Sequence, residues 1–139
     1  MGSPAAQAKS LLARWARKPT AELAVSLRRF YAKSARRLPL KARAELCLVL
    51  GEAAELEGRV DHAKWLYASA VGGVNAQTDE RLYARAVLRS LLNASRLGEG
   101  GLLQRVAALM EKTPHDHQTP RLAFLGAFAR GLERFLGED

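Results

Sequence analysis

The stretch from Leu46 to Val71, LCLVLGEAAELEGRVDHAKWLYASAV, decides the fold of this chain. Over residues 44–56 three glutamates fall along one line of a helix, and the remaining surface is Leu, Ala, Val, Cys and one Gly. A helix with so narrow a polar stripe must be covered by neighbours on most sides. Gly58 interrupts the apolar pattern, which resumes after it. We therefore predict a helical hairpin, with helices near residues 39–57 and 61–71.

Helical periodicity extends over the whole chain, and no segment has the period-two alternation of a β-strand. Further helices are predicted outside the hairpin, beginning near residues 6, 20, 78, 102 and 120. Pro19 ends the first helix, Thr20 caps the second, Thr78 caps the fifth, and Gly72-Gly73 ends the fourth in a left-handed turn. The predicted fold is all-α, with about seven helices arranged as antiparallel hairpins.

The composition fits one domain with a usable core. The chain has 139 residues, of which 48% are hydrophobic and 26% charged, ordinary values for a globular protein. We expect residues 6–139 to form a single helical-repeat domain, and residues 1–5 to be a possible tag remnant or a flexible tail. Charged residues interrupt every apolar run before the ~20 residues that a membrane span needs. The single cysteine and the lack of a secretory signal favour a cytoplasmic location.

The hairpin resembles one tetratricopeptide (TPR) repeat, a helix–turn–helix unit of about 34 residues with the pattern W-x2-L-G-x2-Y…A-x3-F…P. Leu50-Gly51 stands for the L-G pair, and Ala63 and Tyr67 stand for the A-x3-F pair. The resemblance covers roughly residues 44–77 and implies a TPR-like α-solenoid fragment with a C-terminal capping helix. HEAT-like packing and an irregular helical bundle are the alternative architectures. Because TPR repeats hold other proteins, the resemblance implies a non-enzymatic adaptor or scaffold.

The resemblance also implies a groove for a partner segment along the first helix of the repeat. Its lining would consist of Glu45, Leu48, Glu52, Glu55 and Leu56. Glutamates beside apolar side chains suit a segment that carries Lys or Arg, because ion pairs at the rim steer and select partners. The alternative is that these glutamates face solvent or pair with basic residues of the N-terminal helices.

Positive charge is concentrated in the N-terminal third of the chain. Up to Arg43 there are 11 Lys and Arg residues and one acid, Glu22, while the whole chain carries a net charge of +8. The predicted basic surface lies on the first two helices and consists of Arg14, Arg17, Lys18, Arg29, Lys33, Arg36 and Arg37. Such a surface can bind an acidic protein, or alternatively the phosphates of a nucleic acid. Trp15, Phe30 and Tyr31 occupy core positions rather than base-stacking positions.

Three further features of the sequence are candidate sites. Trp65 lies off the core face of its helix and is a possible interface anchor. His115-Asp116-His117 fits a polar loop better than a metal site, because zinc needs three or four ligands. Cys47 is expected to be buried and unreactive. The sequence contains no catalytic constellation, so we expect no enzyme, no metal and no cofactor.

The leading hypothesis is an adaptor that binds a protein partner through a peptide segment or an acidic surface. The first alternative is a helical nucleic-acid-binding protein that uses the basic surface. The second is a self-assembling scaffold, a homo-oligomer in which the basic front of one copy meets the acidic groove of the next.

Overall fold

The computed structural model describes residues 2–75 and 79–98, together with residue 128. The regular elements of these residues are helical. They are α1 (Pro4–Arg17), α2 (Ala21–Ser34), a 3-10 turn (Ala35–Arg37), α3 (Leu40–Leu56), α4 (Val60–Gly72) and α5 (Glu80–Leu97). The all-α prediction is confirmed. The predicted sixth and seventh helices and the His115-Asp116-His117 motif lie outside the described residues.

Capping residues define where the first two helices begin. The Ser3 hydroxyl accepts a hydrogen bond from the backbone N–H of Ala6, and Pro4 occupies the first turn of α1. The helix therefore begins two residues before the predicted start. The predicted cap of α2 is confirmed, because the Thr20 hydroxyl accepts from the N–H of Leu23 at 3.1 Å.

A left-handed glycine separates α3 from α4. Gly58 has a φ of 81°, its N–H donates to the carbonyl of Glu55, and the N–H of Arg59 donates to the carbonyl of Ala54. This pair of bonds is a Schellman motif, which satisfies carbonyls at the end of α3 and reverses the chain. The left-handed turn predicted at Gly72-Gly73 was wrong, because Gly73 has a φ of −97°. Gly73 instead lies close to α3, since an added Cβ would be 3.2 Å from that of Ala44, a tight contact.

Helix α3 is the central element of the N-terminal part, and it packs against α1, α2 and α4. Its residues 46–51 are buried without interruption, as the narrow polar stripe predicts. The core shared by α1, α2 and α3 is made of small and aliphatic side chains around one tryptophan: Ala8, Trp15, Leu23, Ala24, Leu27, Leu38, Leu46, Val49, Leu50 and Ala53.

The chain divides into two compact units, residues 1–74 and 75–139. Helices α1 to α4 belong to the first unit and α5 to the second. Asp79 is the N-cap of α5, while the predicted cap Thr78 lies outside the described residues. The helix ends at Gly98, which takes a left-handed conformation with a φ of 70°.

Candidate functional site

The residues that carry the repeat resemblance pack against one another in the α3–α4 hairpin. Tyr67 is fully buried, and its ring lies so close to α3 that a Cβ on Gly51 would be 2.5 Å from one ring carbon. The Tyr67 hydroxyl donates a hydrogen bond to a carboxylate oxygen of Glu55. Gly51 thus permits the close approach of the two helices, and Glu55 satisfies the only polar group of the buried ring.

The predicted groove on α3 is only partly open. Leu56 is 73% exposed, and Glu45 and Glu52 are half-buried. Leu48 is fully buried at 0% exposure, so its assignment to the groove lining is corrected. Helical periodicity does place Leu48 between the glutamates, but periodicity does not reveal what else covers that face. Glu55 is half-buried and already accepts the hydrogen bond of Tyr67, which gives its carboxylate a structural role.

The basic residues of α2 and the turn after it form one cluster, hereafter the basic cluster: Arg29, Lys33, Arg36 and Arg37. All four side chains are exposed, and none of them makes an ion pair with another described residue. Like charges four residues apart on a helix destabilise it by about 0.2–0.5 kcal/mol. The cluster therefore has free charge to offer to a partner.

The other predicted basic residues, Arg14, Arg17 and Lys18, are also exposed, but they lie at the end of α1. Lys18 follows the last residue of α1 directly, and α2 begins three residues later at Ala21, so these residues precede α2 in the chain. Helix α2 has 14 residues and is about 20 Å long. The predicted basic surface therefore consists of two groups, one that precedes α2 and one in the second half of α2 and the turn after it.

The aromatic side chains divide as the sequence predicts. Trp15 is buried, and Phe30 and Tyr31 pack against the core, so these three rings are not stacking platforms. Trp65 is 67% exposed on α4, and the Lys64 ammonium lies 5.2 Å from its ring centroid. The role of Trp65 as an interface anchor stays a prediction, and its exposure satisfies the first requirement for one.

A cleft that the sequence analysis missed opens between α2, α3 and α4. Its volume is about 200 Å³, and it is lined by Arg28, Tyr31, Leu50, Arg59, His62 and Leu66. Arg28 and Tyr31 are spaced so that they share one face of α2. Arg59, His62 and Leu66 likewise share one face at α4. Nothing in the sequence indicates that those two faces meet, which explains the omission.

Two guanidinium groups at the cleft converge on one carboxylate. Arg28 donates to Oε1 of Glu57 at 2.5 Å, and Arg59 lies 3.4 Å from Oε2 of the same side chain. The hydrogen bond from Arg28 lowers the pKa of Glu57 from its ordinary value, and the charge of Arg59 acts in the same direction. Glu57 is also the C-cap residue of α3, so the turn that ends this helix places the carboxylate beside the two arginines.

Cys47 and Tyr31 form a second polar contact between α2 and α3. The Cys47 thiol donates to the Tyr31 hydroxyl at 3.5 Å. Burial raises the pKa of the Cys47 thiol, and the hydrogen bond from Cys47 raises the pKa of Tyr31. The thiol is therefore protonated at neutral pH, which confirms the prediction of a buried cysteine and argues against a thiolate nucleophile.

Within residues 2–75, 79–98 and 128, no group of three or more His, Cys, Asp or Glu side chains is arranged to hold a metal ion. In the same part of the chain, no helix combines the length and the apolar character needed to cross a bilayer. Comparisons with protein-family models, with curated proteins and with solved structures found no match to this chain.

Proposed function

We propose that this protein is a non-enzymatic protein–protein interaction adaptor whose basic cluster docks on an acidic surface of its partner. The observation that carries the proposal is the set of four exposed cations without an ion pair among the described residues. Unpaired surface cations attract an oppositely charged partner, accelerate association and reject partners of like charge.

The neighbours of the basic cluster favour a protein partner over a nucleic acid. Leu40 follows the cluster in the chain and is 65% exposed, and Val25 is exposed one turn before Arg29. Aliphatic side chains beside cations suit the mixed apolar and charged surface of a protein. Binding of single-stranded nucleic acid relies on aromatic rings as stacking platforms, and the rings of α1 and α2 are engaged in packing. Nucleic-acid binding is the alternative function. A steep fall of affinity with salt concentration distinguishes it from binding of a protein.

A TPR-like scaffold is part of the same proposal. The close packing of Gly51 against Tyr67 supports it, because these residues stand for conserved positions of the repeat pattern. Glu45, Glu52 and Leu56 are the groove residues that retain exposed surface, so we assign them to a second, smaller contact. We place the adaptor in the cytoplasm, where its buried thiol stays reduced.

The test is a comparison of two charge-reversed variants with the same change in net charge. The first carries Arg29→Glu, Lys33→Glu and Arg36→Glu, and the second carries Arg14→Glu, Arg17→Glu and Lys18→Glu. Partners captured by the wild-type protein from a nuclease-treated extract of its own cells are identified, purified and titrated against all three proteins. Circular dichroism checks that both variants are folded, as expected for exposed positions.

We expect direct binding to a purified acidic protein that is lost in the first variant and retained in the second. Equal loss in both variants would show general electrostatic attraction and contradict a located docking surface. Tight binding of the wild-type protein to purified DNA or RNA, which weakens steeply with salt and is lost in the first variant, would favour the alternative. Light scattering that shows concentration-dependent assembly, abolished in the first variant, would favour the self-assembling scaffold.

A further inference from the structure

The cleft between α2, α3 and α4 has room for one side chain. An engineered cavity of about 150 Å³ lined by aliphatic and aromatic residues takes up benzene, whereas whole drug-sized ligands fill roughly 300–1,000 Å³. The volume here is about 200 Å³, and Tyr31, Leu50 and Leu66 supply apolar walls. A single Leu or Phe side chain matches this space.

The rim of the cleft is suited to a carboxylate. Arg28 and Arg59 line it, and both already bind the carboxylate of Glu57. The structure therefore contains an internal example of the anion that this rim holds. His62 also lines the cleft and is exposed, so it is a third side chain with nitrogen atoms beside Arg28 and Arg59. Two cations against one carboxylate leave net positive charge for a second anion.

We propose that this cleft receives an apolar side chain from an acidic segment of the partner, and that a neighbouring carboxylate of the segment binds Arg28 and Arg59 in competition with Glu57. The inference rests on the proposed function and names its partner class, an acidic peptide with an apolar anchor. Anchors that fill a pocket beside a charged rim carry much of the affinity of an interface.

The position of the cleft on α2 supports this occupant. Arg28 lines the cleft, and Arg29, the next residue on the same helix, begins the basic cluster. An extended segment advances about 3.3 Å per residue, so a few residues reach from the cleft to the basic cluster. A segment of alternating acidic and apolar residues meets both features at once.

The test uses a blocked tripeptide, acetyl-Glu-Phe-Glu-amide, titrated into the isotopically labelled full chain and followed by NMR. We expect millimolar affinity, as suits one anchor, with the largest shifts at Leu50, His62 and Leu66. The neutral peptide acetyl-Gln-Phe-Gln-amide and the anchorless acetyl-Glu-Ala-Glu-amide should each bind more weakly by about fivefold or more.

Three variants separate the parts of the proposal. Arg28→Gln should weaken binding of the first peptide by about fivefold, whereas Arg14→Gln, at an exposed position of α1 outside the cleft lining, should leave it unchanged. Glu57→Gln should tighten binding by about threefold, because it removes the internal competitor while keeping the shape of the side chain. A gain of affinity of this kind is not expected from loss of structure, and thermal unfolding of each variant checks that its fold is intact.

Equal binding of the neutral peptide, or unchanged affinity in Glu57→Gln, would overturn the carboxylate competition. Shifts confined to residues outside the cleft would overturn the site itself. These failures leave the proposed function standing if the basic cluster still binds an acidic partner. Conversely, the peptide could bind in the cleft while charge reversal at the basic cluster leaves binding of the acidic partner unchanged. That result would reject the proposed function and keep the cleft as a binding site.

Discussion

The substitution Gly51→Ala adds one methyl group at the tightest point of the α3–α4 hairpin. The new Cβ would lie 2.5, 2.7 and 3.0 Å from three ring carbons of Tyr67. Carbon atoms in contact are normally ~3.5–4.0 Å apart, so the ring or the helix must move by about 1 Å. The ring has little freedom to move, because Tyr67 is fully buried and its hydroxyl is bound to Glu55.

The magnitude follows from three contributions. Overpacking of a well-packed core costs about 1–3 kcal/mol. Displacement of the ring weakens its hydrogen bond to Glu55, a further ~0.5–1.5 kcal/mol. Alanine is the better helix former and returns about 1 kcal/mol. We therefore expect Gly51→Ala to lower the free energy of unfolding by roughly 1–3 kcal/mol, although alanine forms helices more readily than glycine.

Urea unfolding followed by circular dichroism measures this change, with Gly72→Ala as the matched control. Gly72 is the last residue of α4, and an added Cβ there has nothing within 4 Å. Gly72→Ala should therefore leave the free energy of unfolding unchanged or raise it by up to about 1 kcal/mol. Adding Tyr67→Leu to Gly51→Ala should reduce the cost of the methyl group, which a double-mutant cycle reports. A Gly51→Ala protein as stable as wild type would refute the close packing described for this hairpin.

Three shorter predictions concern Gly58, Cys47 and Glu57. Gly58→Ala should lower the free energy of unfolding by about 1–2 kcal/mol in the same urea assay, because a φ of 81° strains any residue with a Cβ. Cys47 should react with iodoacetamide at pH 8 roughly 100-fold more slowly in the native protein than in guanidinium chloride, since burial raises its pKa; equal rates would contradict the burial. The pKa of Glu57 is lowered on folding, so its bond to Arg28 contributes stability above the ordinary carboxyl pKa, and this is lost as pH falls through the folded value. Wild type and Glu57→Gln should thus differ in thermal stability at pH 7 and converge in strong acid, and a difference that persists in acid would exclude the ion pair as its cause.

The helices were predictable because their signals are local. Thr20 caps α2, Gly58 interrupts the apolar pattern just after α3, and the apolar residues of α3 repeat at helical spacing. Each of these depends on a few consecutive residues and on the side chains they carry. The 3-10 turn at Ala35–Arg37 was not predicted, since a tightened last turn depends on what the next helix packs against.

The candidate sites were less predictable because they depend on contacts between helices. Leu48 shares a helical face with two half-exposed glutamates and is nevertheless buried. Glu55 looked like a binding residue, but Tyr67 lies 12 positions away in the sequence and uses its carboxylate. The cleft needs Arg28 and Arg59 to meet at Glu57, which no spacing within one helix encodes. The exposure of the basic residues was predictable, since Lys and Arg side chains are almost never fully buried without a partner and few acids accompany them.

The length of α2 has an electrostatic consequence for the basic residues that precede it and for the basic cluster in its second half and the turn after it. Salt at physiological concentration screens exposed charges over about 8 Å, and α2 is about 20 Å long. Each group therefore attracts anions almost independently of the other. Charge reversal of Arg14, Arg17 and Lys18 should therefore change the attraction of an acidic partner to the basic cluster only slightly at physiological salt, and more strongly at 0.01 M salt, where the screening length is about 30 Å.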